Sequence, residues 1–196
     1  ERRTLNVELW YPLNAQGTYP LILFSHGATG IKSSNQSLFR ELASHGYVVS
    51  SIDHPYHSLY TTAADGHTTW IDRGYLQELR AEDATSDKQQ SYADYQKWMK
   101  LRTDDINFVL DYTLAEAKKA DVATVYKRID PTKVGVMGHS LGGSAALGIG
   151  RMRDDVSAVI ALESPFLTDI EGVKDGEFVW NDTPYPVPVL NVYGES

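Results

Sequence analysis

The sequence predicts an α/β fold, a mostly parallel sheet with helices on both faces. Three observations carry that expectation. Short apolar runs rich in β-branched residues recur along the chain, with stretches of helical spacing between them. One such run, Val134-Gly135-Val136-Met137, leads into Gly138-His139-Ser140-Leu141-Gly142 and then into the small-residue stretch Ser144-Ala145-Ala146-Leu147. Another, Pro20-Leu21-Ile22-Leu23-Phe24-Ser25, runs into His26-Gly27-Ala28-Thr29-Gly30. Runs without polar alternation are what strands buried on both faces require.

The elements follow in order. Leu5, Val7, Leu9 and Tyr11 alternate with Asn6, Glu8 and Trp10, which gives a first strand. The run Pro20–Ser25 is the second. Ser33-Ser34-Asn35 can cap a helix whose apolar face is Leu38, Phe39, Leu42 and Ala43, with Gly46 as its stop. Tyr47–Ile52 is a strand. Ile106, Val109, Leu110, Leu114 and Ala117 keep helical spacing, so a long helix is expected from about Tyr92 to Ala120. The strand at Val134–Met137 and the small-residue helix come next. Val156–Leu162 and Pro188–Tyr193 are the last strands. From Ser58 to about Gln90 the rhythm breaks into a polar excursion that also holds Tyr60, Trp70 and Tyr75. Long excursions after a strand's carboxyl end are either cap-like pocket walls or solvated loops, and both readings stand.

The strongest chemical signal is the turn at Ser140. A serine hydroxyl is a poor nucleophile and needs a base plus open access. A tight strand-to-helix turn lifts its side chain out of the sheet, and small residues at Gly138, Gly142 and Gly143 relieve the crowding. The helix N-terminus offers free N–H groups to a developing oxyanion. The competing reading is a glycine-rich turn whose serine only caps the helix. The strand–Gly-x-Ser-x-Gly–helix arrangement resembles the nucleophile elbow of the α/β-hydrolases. That resemblance implies an oxyanion hole from the N–H groups of Leu141 and Ala28, the latter in the His-Gly loop. His26 itself reads as a brace for the loop backbone.

Further stretches narrow the resemblance. Phe24-Ser25-His26-Gly27, Leu42-Ala43-Ser44-His45-Gly46-Tyr47-Val48-Val49 and Asp53-His54 are similar to the platelet-activating-factor acetylhydrolase group, which shades into the dienelactone-hydrolase-like esterases. So are Arg102, Asp105, Val109, Leu110 and Asp111 on the long helix, and the elbow with Gly143. The resemblance covers about Leu5 to Tyr193 and implies a triad of serine, acid and histidine. The serine is Ser140. The group's acid ends an Ala-Leu-Asp run, which makes Glu163 of Ala161-Leu162-Glu163 the first candidate. Glu195 is the second, an acid beyond Ser196 is equally open at that position, and a merely solvated Glu163 is the plain alternative.

All six histidines (His26, His45, His54, His57, His67 and His139) precede Ser140, whereas the family places its histidine after the acid. His139 neighbours the nucleophile and points away from it, and His54 or His57 would serve only in a rearranged triad. The expectation is therefore a single α/β-hydrolase domain over residues 1–196 that lacks its last strand, catalytic histidine and final helix. A following segment or a second chain would supply them; lost catalysis is the remaining explanation.

Composition excludes several classes. A net charge of −8 argues against a nucleic-acid partner. No apolar run approaches the ~20 residues of an integral membrane segment. Without cysteine there is no disulfide or thiolate site. No glycine-rich cofactor loop follows a strand, so no cofactor is expected. Asp53-His54-Pro55-Tyr56-His57 offers an Asp and two His, but a zinc site needs three or four such ligands in geometry and a strand-end histidine is more often a polar pocket wall, so no metal is expected. The implied function is serine hydrolysis of a small-molecule or lipid ester through an acyl-enzyme. The alternative is a disabled relative that binds acyl or hydrophobic ligands.

Overall fold

The computed structural model describes residues 3–13 and 16–194. In chain order the elements are β1 (Val7–Trp10), β2 (Tyr19–Ser25), α1 (Gln36–Ser44), β3 (Val48–Ile52), β4 (Tyr60–Thr62), β5 (Thr68–Trp70), α2 (Arg73–Ala84), α3 (Lys88–Ala117), β6 (Ile129–His139), α4 (Leu141–Met152), β7 (Ala158–Leu162), β8 (Ile170–Lys174), β9 (Glu177–Trp180) and β10 (Val189–Val192). Six strands form the central sheet in the order β1-β3-β2-β6-β7-β10. β1 is antiparallel to β3, and every other pairing is parallel. Parallel pairing brings the carboxyl ends of β2, β3, β6, β7 and β10 to one edge, with Ser25 in register with Ile52 and Gly138, and Leu162 with His139 and Val192.

Side chains alternate across β2 and sort the core into two layers. Leu21 and Leu23 join Ile106, Leu110, Leu147 and Ile149 from α3 and α4 on one face. Ile22 and Phe24 join Phe39 of α1, Val49 and Met137 on the other. There Phe24 meets Phe39 edge to face, with centroids 4.8 Å apart, a geometry that aromatic quadrupoles favour. The helices thus lie on both faces, as the alternation of strands and helices predicts.

Boundaries move for local reasons. The long helix begins at Lys88, before the expected Tyr92, because the Asp87 carboxylate accepts the N–H groups of Gln89 and Gln90. It ends at Ala117. β6 starts earlier than Val134, and its register against β2 shifts between Pro20 and Leu21. The excursion from Ser58 to Gln90 is largely ordered structure: the β4–β5 hairpin, α2 capped by Asp72 through the Tyr75 N–H (2.8 Å), and the first turn of α3.

Candidate active site

Ser140 occupies the turn between β6 and α4 with φ 51° and ψ −124°. That region is costly for a residue with a Cβ, by about 1–3 kcal/mol, and persists only where the surroundings fix it. Here the Ser140 N–H donates to the Leu162 carbonyl of β7 (2.9 Å), and its own carbonyl accepts from the Ser144 N–H (3.0 Å). Its side chain makes no capping hydrogen bond, which removes the reading in which Ser140 only caps the helix.

The glycines set the approach distances. A Cβ on Gly138 would stand 2.3 Å from the Gly142 carbonyl, one on Gly142 would stand 2.1 Å from the Ser25 carbonyl oxygen, and one on Gly143 would stand 1.9 Å from Ser164 Oγ. The Gly142 contact seats α4 on the end of β2, beneath the following His26-Gly27 loop, and the Gly143 contact sets α4 against Ser164 after β7. A Cβ on Gly27 would lie 2.8 Å from His139 Nδ1 and 3.4 Å from Ser140 Cβ. Ser140, Leu141 and the loop carrying Ala28 are therefore brought together. Within the described residues no hydrogen bond takes the N–H of Ala28 or Leu141.

Below the loop lies a buried polar lattice. His26 Nδ1 is 2.7 Å from the Gly27 carbonyl, and its Nε2 is 2.8 Å from Ser58 Oγ, which also accepts the His54 N–H (2.8 Å). A carbonyl only accepts, so Nδ1 carries the hydrogen and Ser58 donates to Nε2. His54 Nδ1 meets Asp105 Oδ2 at 3.0 Å, and its Nε2 meets Ser25 Oγ at 2.8 Å. Arg3 donates to both Asp105 oxygens. Burial, reinforced by the Arg102 charge, holds His26 and His54 well below the usual imidazole range, so both are neutral. Burial pushes the Asp105 carboxyl up to about 7 against the pull of Arg3. The Ser25–His54–Asp105 chain has the connectivity of a triad, but Ser25 is fully buried and out of a substrate's reach.

No histidine is hydrogen-bonded to Ser140 within the described residues. His57 is buried with its ring stacked flat on Tyr75, centroids 3.7 Å apart. His45 and His67 are exposed on α1's end and the β4–β5 hairpin. Asp53 turns to Lys32 and Thr61 (Lys32 N–H 2.6 Å, Thr61 Oγ 2.7 Å), so Asp53, His54 and His57 do not converge on one point. Glu163 stands at the end of β7 with φ 53°, exposed, and its carboxylate accepts the Gly194 N–H beyond β10. The second acid candidate, Glu195, lies outside the described residues. Of the aromatic residues in and beside the excursion, Tyr75 is core while Tyr56, Tyr60 and Trp70 are exposed. An apolar cleft of about 300 Å³, lined by Ile22, Leu42, Met137 and Ile160 among others, lies on the α1 face and does not include Ser140.

Ser25, His54, Arg102 and Asp105 stand in the stretches that carry the family resemblance, but sequence reasoning missed the Ser25–His54–Asp105 chain and the parts played by Arg102 and Ser58. Arg102 is fully buried on α3 and donates to the carbonyls of His26 (2.5 Å) and Gly27 (3.2 Å). Beside that resemblance, its sequence signal is a cation on the apolar face of a helix.

Comparison with known proteins places this geometry. Residues 2–168 match the family described as platelet-activating factor acetylhydrolase, isoform II. Platelet-activating factor acetylhydrolase from Canis lupus familiaris is 32% identical over 150 residues, covering 69% of this chain and 33% of the relative. Cutinase est2 from Thermobifida alba is 31% identical over 154 residues, covering 79% and 37%. A ferulic acid esterase from Streptomyces cinnamoneus superimposes with a TM-score of 0.59 at 26% identity, over 90% of this chain and 43% of that one. The chain spans about a third to two fifths of the length of these curated relatives.

Proposed function

Because the chain belongs to the platelet-activating factor acetylhydrolase, isoform II, family, we propose that the protein is a serine hydrolase of carboxylic esters with Ser140 as nucleophile. The observation that carries this reading is Ser140 itself: a non-glycine residue at positive φ on a strand-to-helix turn, its hydroxyl free, beneath the His26-Gly27 loop.

The reaction is two-step acyl transfer. A histidine base takes the Ser140 hydroxyl proton as Oγ bonds to the ester carbonyl carbon. The oxyanion so formed is held by the N–H groups of Leu141 and Ala28. The carbon–oxygen bond to the leaving alcohol then breaks, and the alcohol departs with that proton. Water, deprotonated by the same base, hydrolyses the acyl-enzyme and returns the proton to Ser140. Glu163 is the first candidate for the carboxylate that orients the base. Its place at the carboxyl end of β7, beside the strand that delivers Ser140, supports that role. None of the six histidines is hydrogen-bonded to Ser140 among the described residues, so the reading leaves the base to a histidine outside these 196 residues. The substrate is a small-molecule or lipid ester: the acetylhydrolase, cutinase and ferulic acid esterase names of the relatives share the ester and not the acyl group.

Ser140→Ala in the full-length protein tests this. Hydrolysis of 4-nitrophenyl acetate should fall about 10⁴- to 10⁶-fold, as when a nucleophile is removed elsewhere. Full retained activity would sink the assignment.

A further inference from the structure

We propose that Arg102 is the positioning residue of the oxyanion hole, its buried guanidinium fixing and polarising the Gly27–Ala28 peptide whose N–H receives the oxyanion. This rests on the serine-hydrolase reading above.

A fully buried guanidinium is expensive unless it is paired. Arg102 has no carboxylate within ion-pair distance among the described residues. Among the described residues its guanidinium donates to two backbone carbonyls, those of His26 and Gly27, at 2.5 and 3.2 Å, and the Tyr75 side chain lies beside it. Such an arrangement is a poor stability device, because the charge is only partly compensated. It suits a site where positive potential is wanted.

The peptide geometry says where that potential acts. No peptide bond among the described residues is cis, so the Gly27 carbonyl and the Ala28 N–H point in opposite directions across one planar unit. Whatever holds the oxygen also aims the hydrogen. The Gly27 oxygen is held by the Arg102 Nη2, by His26 Nδ1 at 2.7 Å and by the Gly30 N–H at 3.2 Å. Three donors on one carbonyl oxygen draw electron density toward it, and chained hydrogen bonds in a low-dielectric interior strengthen one another. The Ala28 N–H therefore becomes a stronger and better-aimed donor. It takes no partner among the described residues, while Gly27 packs within 3.4 Å of Ser140 Cβ at its Cβ position. His26, held as the neutral Nδ1–H tautomer by Ser58, completes the clamp from the other side. The loop is thus gripped at its carbonyls, leaving the opposite peptide edge for the substrate.

The test uses Arg102→Lys and Arg102→Met in the full-length protein, with Ser140→Ala in parallel. We would measure kcat and KM for 4-nitrophenyl acetate, counting active sites by titration of the serine to completion. Inhibition by a trifluoromethyl ketone, which adds a serine oxygen to give a hemiketal oxyanion, is measured alongside. Removing a whole oxyanion-hole donor costs about 10²–10³-fold in kcat. A donor left in place but loosened should cost about 10- to 100-fold per titrated site in Arg102→Met. KM should stay within about twofold, and the ketone should weaken by the same factor as kcat. Arg102→Lys keeps the cation but cannot span both carbonyls, so it should show a smaller loss of the same kind. It decides the matter if the methionine variant fails to accumulate as folded protein. A purely structural role would lower thermal stability and the titrated fraction while leaving kcat per site and ketone affinity unchanged. That result, with Ser140→Ala inactive, overturns this proposal alone. An active Ser140→Ala overturns the hydrolase reading and this proposal with it.

Discussion

An alanine at position 142 would place its methyl carbon 2.1 Å from the Ser25 carbonyl oxygen and 2.4 Å from that of His26. Methyl carbons essentially never come within 3.0 Å of such atoms, so one side must retreat by roughly 1 Å. Both oxygens belong to backbone at the end of β2 and cannot rotate away. The penalty therefore falls at the upper end of ordinary overpacking, about 3 kcal/mol. For a domain of this size that is a fall in thermal midpoint of roughly 6–12 °C. The functional effect should be larger, because the displaced segment carries the His26-Gly27 loop, and a shift on the order of 1 Å in a positioning element costs about 100-fold in rate. The assay is kcat for 4-nitrophenyl acetate together with a thermal melt, against Gly172→Ala as control. A Cβ at Gly172 meets nothing within 4 Å, so the control should behave as wild type. A Gly142→Ala protein with wild-type kcat and midpoint would refute the claim that this close contact seats the oxyanion loop.

Other outcomes follow from the buried lattice. Burial first, then the Arg102 charge, pushes the His57 imidazole down to about 2, so it is neutral when folded and takes up a proton on unfolding below its free value near 6.5. The stability it contributes is complete above pH 6.5 and is lost as pH falls from there toward 2. His57→Phe keeps the stack on Tyr75 and removes that uptake, so between pH 6.5 and 4 its stability should fall less steeply than wild type, by about 1.4 kcal/mol per pH unit; parallel curves contradict the assignment. Ser58→Ala leaves His26 Nε2 and the His54 N–H with only their long 3.4 Å contact to each other. An orphaned buried group costs about 1–3 kcal/mol, and the residual contact spares part of that for the two, so urea unfolding should show a loss of about 1–3 kcal/mol; no measurable loss would mean that water replaces the hydroxyl.

The central sheet was legible because its strands, buried on both faces, read as runs without polar alternation: Leu21–Phe24, Val48–Ile52 with its buried Ser50 and Ser51, and Val134–Met137 all became strands. The elbow was legible for a related reason, since Gly138 and Gly142 are the only residue types that fit against backbone at 2.1–2.3 Å. What escaped was short or polar. β8 and β9 are joined at Asp175-Gly176, both at positive φ (54° and 79°), a two-residue turn whose Asp-Gly signature lay in plain view. The flanking strands are too short to show a period. α2 hid in a polar stretch because a single side chain, Tyr75, is buried along it. The lattice under the loop was illegible for a different reason. Asp105 sits 102 residues from Arg3 and 51 from His54, and Arg102 sits 76 from the carbonyl of His26. Helical spacing sets Arg102 on the apolar face of α3 but says nothing of partners so distant in the chain, and only the folded arrangement reveals them.

The most direct test of the account is active-site labelling of the full-length folded protein with a fluorophosphonate probe, followed by mapping of the adduct. The account predicts one adduct, on Ser140, abolished by Ser140→Ala and absent from the buried Ser25. A folded protein that takes no adduct, or takes it on Ser25, would contradict the claim that the β6–α4 turn presents a working nucleophile.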